Sequence, residues 1–274
     1  MDRIKKPMVA GQFYPANADA LTKNIENYLE NAKPNKDYGN VFGIISPHAG
    51  YPFSGRTAAC AFNCIRDKKY DTVFVIAPSH SFISSPIGIY DYDYYKTPLG
   101  LIPIEQNIID LLFEVEDIGD IKFGIRPENS LETQLPFLQT VLDEFQLVPI
   151  LIRDQSLRTA EKLATIIQNI LSGYDKKVLF VFSTDLSHFH SAQTAEKLDR
   201  RLIKSIEEMN LQKLDKLIQS GDGEACGFGC VETGLVLAEK YGINKIDILD
   251  YTHSGKIIDD NSRVVGYVSA VLYE

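Results

Sequence analysis

Val41-Phe42-Gly43-Ile44-Ile45-Ser46-Pro47-His48 is a short apolar run that ends in a polar turn carrying an imidazole. It is too short for a globular helix, and Pro47 closes it. It reads as a strand buried on both faces. The format recurs along the chain. Thr72 to Ala77 ends in Pro78-Ser79-His80, and Val178 to Ser183 runs into Thr184-Asp185-Leu186-Ser187-His188. Leu147 to Ile152 is a further run of this kind. Ile246 to Leu249 and Val264 to Leu272 add strand candidates near the C-terminus. Ile87 to Tyr95 alternates apolar residues with Asp and Tyr and reads as a half-exposed edge strand.

Helical periodicity fills the gaps. Leu163, Ala164, Ile167, Ile170 and Leu171 mark one face of a helix after Ser156. Ala195, Leu198, Leu202 and Ile206 mark another after Ser191. Leu211, Leu214, Leu217 and Ile218 mark a third. Asn129 with Glu132 three residues on has the spacing of a capping box and predicts a helix running on into Leu138 and Val141. Apolar strands alternating with helices predict an α/β fold, one domain over residues 1–274, with a largely parallel sheet covered on both faces.

In open α/β sheets, ligands bind beyond the carboxyl ends of the strands. That is where His48, His80, Asp185 and His188 fall. A lone loop histidine is ordinarily a hydrogen-bonded or surface residue. Imidazole and carboxylate delivered by separate strands to one sheet edge are what a site needs and a core does not. Imidazole is the commonest metal ligand, and a Cys or carboxylate can complete a three-ligand site with open positions. Gly50 and Gly55 are expected to give backbone freedom to the loop after His48, with Tyr51 packing into or beside the pocket. Asp185 is expected to orient an imidazole by hydrogen bonding. His190 and His253 read as surface residues.

Composition narrows the function classes. The chain has 274 residues, 45% of them hydrophobic, with a net charge of −9. An acidic balance disfavours nucleic acid and anionic membrane as main partners, since both are polyanions. No apolar stretch has signal-peptide or membrane-span length, so a cytoplasmic protein is expected. The four cysteines are expected to be reduced thiols. Cys60 and Cys64 lie four apart on a predicted helix and read as core, as does Cys230. Cys226 lies among glycines, in Gly221-Asp222-Gly223-Glu224-Ala225-Cys226-Gly227-Phe228-Gly229. A phosphate-binding loop, the dinucleotide fingerprint, H-E-x-x-H and G-x-S-x-G are all absent, so nucleotide-binding, zincin and serine-hydrolase readings lack support.

Several ordered motifs together resemble the MEMO family. They are Val9-Ala10-Gly11-Gln12-Phe13-Tyr14-Pro15, Ser46-Pro47-His48-Ala49-Gly50-Tyr51, and Pro78-Ser79-His80. Ser130-Leu131-Glu132-Thr133-Gln134-Leu135-Pro136-Phe137, Ser183-Thr184-Asp185-Leu186-Ser187-His188 and the Cys226-Gly227 turn continue the series. The resemblance implies the fold of the class III extradiol dioxygenases. It further implies His48, His80 and Cys226 as metal ligands and Asp185 and His188 as acid/base groups beside them. Gly50, Tyr51, Ser79, Asn129 and Glu132 then fall along the pocket lining. Asn129 and Ser81 stand where many relatives carry histidine, which makes this pocket poorer in imidazole.

The expected cofactor is a divalent or redox-active metal ion, iron first, with copper or zinc as alternatives. The partner is an unknown small molecule or peptide, and a functional link to a radical-SAM protein is implied by the resemblance. A metal-dependent redox enzyme leads the readings. A module that recognises phosphotyrosine-type or other anionic peptides is the alternative, with Arg56 and Arg126 as candidate anion-binding cations. A metal-dependent hydrolase comes third.

Overall fold

The computed structural model describes residues 2–32, 34, 36–81, 83–121 and 127–274. β1 (Ile4–Lys5) leads to α1 (Ala18–Glu30), then β2 (Val41–Ser46) and α2 (Tyr51–Asn63). β3 (Thr72–Pro78), β4 (Ile87–Ile89), β5 (Tyr94–Thr97) and β6 (Gly100–Pro103) follow, then α3 (Gln106–Phe113) and β7 (Ile118–Asp120). The next elements are α4 (Asn129–Glu132), α5 (Gln134–Val141), β8 (Gln146–Ile152), α6 (Leu157–Ile170), β9 (Val178–Ser183) and β10 (His188–His190). The chain closes with α7 (Ala192–Glu207), α8 (Leu211–Ser220), α9 (Phe228–Tyr241), β11 (Lys245–His253), α10 (Gly255–Ile258) and β12 (Val264–Tyr273).

The fold is α/β. The main sheet runs β10-β12-β2-β9-β3-β8-β4-β7, with β11 along β12. Its centre, β2-β9-β3-β8, is wholly parallel. Its flanks are antiparallel where β12 meets β2 and where β4 meets β8. The sheet is therefore parallel at its heart and mixed overall. A small sheet, β1-β5-β6, lies apart.

The central strands are continuous apolar runs because both of their faces are covered. Val73, Val75 and Ala77 of β3 join one core cluster with Leu21, Phe62 and Phe137, from α1, α2 and α5. Phe74 and Ile76 point the other way and join Leu163, Ile167 and Leu237, from α6 and α9. The alternation follows from the two-residue period of a strand. Ser156 and Ser191 cap α6 and α7, each accepting from a backbone N–H three residues on.

Three expectations need correction. Ile87 to Tyr95 is not one edge strand. It splits into β4, fully buried between β8 and β7, and β5 in the small sheet. The Asn129–Glu132 capping box does not form. Glu128 is the N-cap residue of α4, Thr133 separates α4 from α5, and both expected box residues are used elsewhere. The segment after His48 is not an open loop, since α2 begins at Tyr51. Gly50 caps it with φ −56 and ψ 143, and a Cβ there would meet only ordinary contacts from 3.5 Å outward. Gly50 therefore needs no special backbone freedom. Gly55 is required, for a different reason: it lies inside α2, and a Cβ would come within 2.7 Å of the Tyr28 ring on α1.

Candidate metal centre

β2, β9 and β3 are neighbours in the sheet and end together. Ser46 pairs in register with Ser183, and Ile76 with Phe182. The residues that follow these strands therefore emerge side by side: His48 after β2, Asp185 after β9 and His80 after β3. Sheet topology alone converges them.

Cys226 arrives from the α8–α9 connection, which is stitched to the end of β9. Its N–H donates to Asp185 O at 3.1 Å, and the Gly227 N–H donates to Thr184 Oγ1 at 3.0 Å. Gly227 is obligatory, because a Cβ there would lie 2.1 Å from Ser183 O. Gln155, after β8, secures the other side by donating to Cys226 O and accepting from the Gly229 N–H.

His48, His80 and Cys226 each offer one ligand atom, and these atoms all lie within 4.8 Å of one another. They form the only such cluster of His, Cys, Asp and Glu among the described residues. Cys226 Sγ lies 3.1 Å from His48 Nε2. The two imidazoles meet edge-on with ring centroids 5.2 Å apart. His48 is buried, Cys226 half-buried and His80 exposed, so the cluster opens toward solvent on the His80 side.

Hydrogen bonding sets the tautomers. Ser183 Oγ donates to Ser130 O at 2.7 Å and accepts from Gln134 Nε2 at 3.0 Å. Its one proton is spent, so it can only accept from His48 Nδ1, 2.8 Å away. His80 Nδ1 donates to Glu128 Oε1 at 2.8 Å, while the His80 backbone N–H donates to Glu128 Oε2 at 2.6 Å. Both rings therefore hold a proton on Nδ1; His48 turns its bare Nε2 to the Cys226 thiol at 3.1 Å, and His80 keeps Nε2 as its remaining ligand atom. Fixing a ligand imidazole through its other nitrogen is the usual device of metal sites.

Electrostatics fit this picture. Burial, reinforced by His80, pushes His48 down to about 3, so its ring is neutral at physiological pH. The hydrogen bond to Glu128 raises His80. Glu128 is buried, yet the His80 partnership and the backbone N–H donors hold it below the usual range. Burial and the nearby Asp185 push the Cys226 thiol up. Without an ion, the thiol keeps its proton and can donate it to His48 Nε2. The donor set, two imidazole nitrogens and one sulfur, suits a borderline or soft transition metal and not magnesium or calcium.

Asp185 and His188 flank this cluster, with a correction for Asp185. Its Oδ1 accepts from the His48 backbone N–H at 2.8 Å, and its Oδ2 lies 4.0 Å from His48 Nε2. It therefore holds the His48 main chain and hydrogen-bonds no imidazole ring. Burial pushes this carboxyl up to about 6. His188, half-buried, shares with Cys226 the wall of a cavity of about 310 Å³.

The remaining site candidates support the centre from below. Asn129 Nδ2 donates to His48 O at 2.9 Å. Ser79 Oγ donates to Ser81 O, within the His80 turn. Tyr51 is buried in the core with its hydroxyl on Thr133 O. Glu132 is fully buried and accepts from the N–H groups of Met8 and Val9 and the hydroxyls of Tyr14 and Tyr95, so it ties down the N-terminal segment. Arg56 is exposed on α2, and Arg126 lies outside the described residues.

Sequence reasoning missed Glu128, Ser183 and Gln134 as orienting groups. A signal existed for Ser183: it ends an apolar strand directly opposite Ser46. His253 is buried, not superficial, with Nε2 3.5 Å from Glu196. His190 is half-buried and pairs with both carboxylate oxygens of Glu224. Cys64 and Cys230 are buried as expected, but Cys60 is half-exposed.

Comparison with known proteins agrees with the motif order. The profile of the Memo-like protein family matches residues 5–271. This chain belongs to the Memo family. A MEMO1 family protein of Methanosarcina barkeri is 33% identical over 98% of this chain and 100% of its own length. One from Thermotoga maritima is 34% identical over 98% of this chain and 99% of its own. Among solved structures, an uncharacterized protein of Escherichia coli K12 aligns with 74% of this chain and 86% of its own, at 16% identity and a TM-score of 0.39. Among the described residues of this Memo-family chain, no helix is long and apolar enough to cross a membrane.

Proposed function

We propose that this Memo-family protein holds one transition-metal ion on His48 Nε2, His80 Nε2 and Cys226 Sγ and acts on a small molecule by redox chemistry. Iron(II) is the first choice, with copper or zinc as alternatives. One observation carries the reading: both imidazoles are locked with Nδ1 protonated and Nε2 free, facing a thiol within ligand range. A core or a surface loop has no need of that arrangement.

His48, His80 and Cys226 would hold the ion, since their ligand atoms already lie within 4.8 Å of one another. An ion bound there would supply Lewis acidity and, if iron or copper, electron exchange. The chain's own residues do the rest. Ser183 and Glu128 hold the rings. Asp185, whose carboxyl burial raises, and His188, which lines the cavity beside Cys226, would hold or move a proton. A thiolate ligand is itself oxidisable, which limits how far ordinary dioxygenase chemistry carries over.

An anion-binding module for phosphotyrosine-type peptides is less well supported. The cavity beside Cys226 presents Glu224 and no Lys or Arg among the described residues.

The test is anaerobic titration of Fe(II), Cu(I), Zn(II) and Mg(II) into wild type, Cys226→Ser and Cys60→Ser, followed by O₂ consumption with catechols. Stoichiometric binding of the soft or borderline ions, lost in Cys226→Ser and kept in Cys60→Ser, supports the site. O₂ uptake that needs the ion supports the redox reading. Tight binding without turnover of any substrate would reduce the proposal to a metal-binding protein.

A further inference from the structure

The far end of the main sheet carries a second concavity that the metal centre does not use. It has a volume of about 700 Å³ and opens where β3 and β8 begin. β6 forms one wall and residues 143–146 the other. The two walls meet where Ile104 bridges Leu147 in parallel, and from that point they diverge.

β6 is an edge strand, paired only with β5 among the described residues. Glu105 N–H donates to Leu147 O on the side away from β5. Alternation along an extended chain then turns the backbone groups of Leu101 and Pro103 to that same side. Pro103 has no N–H. Leu101 therefore presents an N–H and a C=O to the groove with no strand opposite among the described residues. The residue is 48% exposed. Leu99, Pro103 and Phe145 extend the apolar surface.

Acidic side chains outnumber basic ones along this groove. Asp71, Asp143 and Glu144 line it, and Asp143 and Glu144 are exposed. The one cation lining it among the described residues, Lys176, is matched by Glu105 at 3.0 Å. An exposed, partly apolar strand edge with acidic flanks fits an extended chain bearing alternating basic and apolar side chains. The main chain of such a segment pairs with the edge while the acidic wall takes its cations.

We propose that this groove is a docking site for an extended basic peptide segment of a partner protein, which adds as a strand to β6 at Leu101. The site lies at the opposite end of the strands from His48, so it recruits a partner without covering the metal centre.

The probe is a fluorescein-labelled, acetylated Lys-Leu-Lys-Val-Lys peptide titrated into the full chain by fluorescence anisotropy. Glu-Leu-Glu-Val-Glu serves as control and spermidine as competitor. The expected result is saturable binding of the basic peptide only. It should weaken tenfold or more in the doubly reversed variant Asp143→Lys with Glu144→Lys, and stay unchanged in His80→Ala. Hydrogen exchange of the Leu101 amide should slow when the peptide binds, because that N–H gains an acceptor. This readout needs no substitution in β6. The proposal is overturned if the acidic peptide binds equally, if charge reversal leaves affinity intact, or if neither peptide saturates. Binding with no added protection at Leu101, together with full displacement by spermidine, would make the groove a polyamine site and overturn strand addition.

Discussion

His48 Nδ1 lies 2.8 Å from Ser183 Oγ, a hydroxyl whose proton is already given to Ser130 O. That relationship decides which nitrogen of His48 faces Cys226. At the proposed metal site it would make Ser183, which offers no ligand atom to the ion, a determinant of metal affinity. Ser183→Ala should keep the fold and lower metal affinity by about 10–100-fold. Chelator competition measures the affinity, and circular dichroism checks the fold. An unchanged affinity would mean that the ring does not depend on this hydroxyl.

At the proposed site, protons would compete with the ion in a defined order. His48, pushed down to about 3, carries no competing proton near neutrality. The thiol of Cys226, pushed up by burial, must lose one on binding. His80, raised by Glu128, adds a second proton once the pH falls through its raised value. Apparent affinity should therefore rise about tenfold per pH unit in the alkaline range and change more steeply below the His80 value. Glu128→Gln should move that steepening to lower pH. Chelator competition between pH 5.5 and 8.5 tests this, and an identical break in both proteins would contradict it.

Gly227→Ala should displace the turn that carries Cys226, because the new Cβ would meet Ser183 O at 2.1 Å. Metal affinity should fall more than tenfold even if the sheet stays intact. Preserved affinity would show that the turn can shift without moving the thiol.

Glu232 in α9 is fully buried, and neither carboxylate oxygen has a partner among the described residues. Burial, with Asp215 and Glu161 nearby, pushes it up to about 8. An unfolded chain would ionise it near 4.3. The folded state binds the extra proton between these values, so stability falls as pH rises from about 4.5 to 8 and then levels off. Glu232→Gln should be more stable than wild type at pH 9, by an amount on the order of a few kcal/mol, with the difference closing near pH 4. Urea unfolding at both pH values measures it. A constant difference would mean that ionisation is not the cause.

The central strands were legible in the sequence because burial on both faces leaves an unbroken apolar run, as at Val178 to Ser183. Their shared carboxyl edge followed from topology, and with it the meeting of His48, His80 and Asp185. The arrival of Cys226 did not follow from periodicity. Its placement depends on hydrogen bonds to Asp185 and Thr184 across 41 and 43 residues of chain, and only the family motif pointed to it. The split of Ile87 to Tyr95 was illegible for a physical reason. Alternating polarity marks a half-exposed strand, yet here it covers two short strands in different sheets. The Asn129–Glu132 spacing misled because Glu128 takes the N-cap position and the Glu132 carboxylate is engaged by four donors from distant segments.

The most direct measurement is X-ray absorption on protein reconstituted anaerobically with Fe(II), compared with Cys226→Ser. The account predicts one sulfur scatterer at about 2.3 Å and two imidazole shells in wild type, with the sulfur lost in the variant. A first shell of oxygen and nitrogen alone in wild type, or a sulfur that persists in Cys226→Ser, would contradict it.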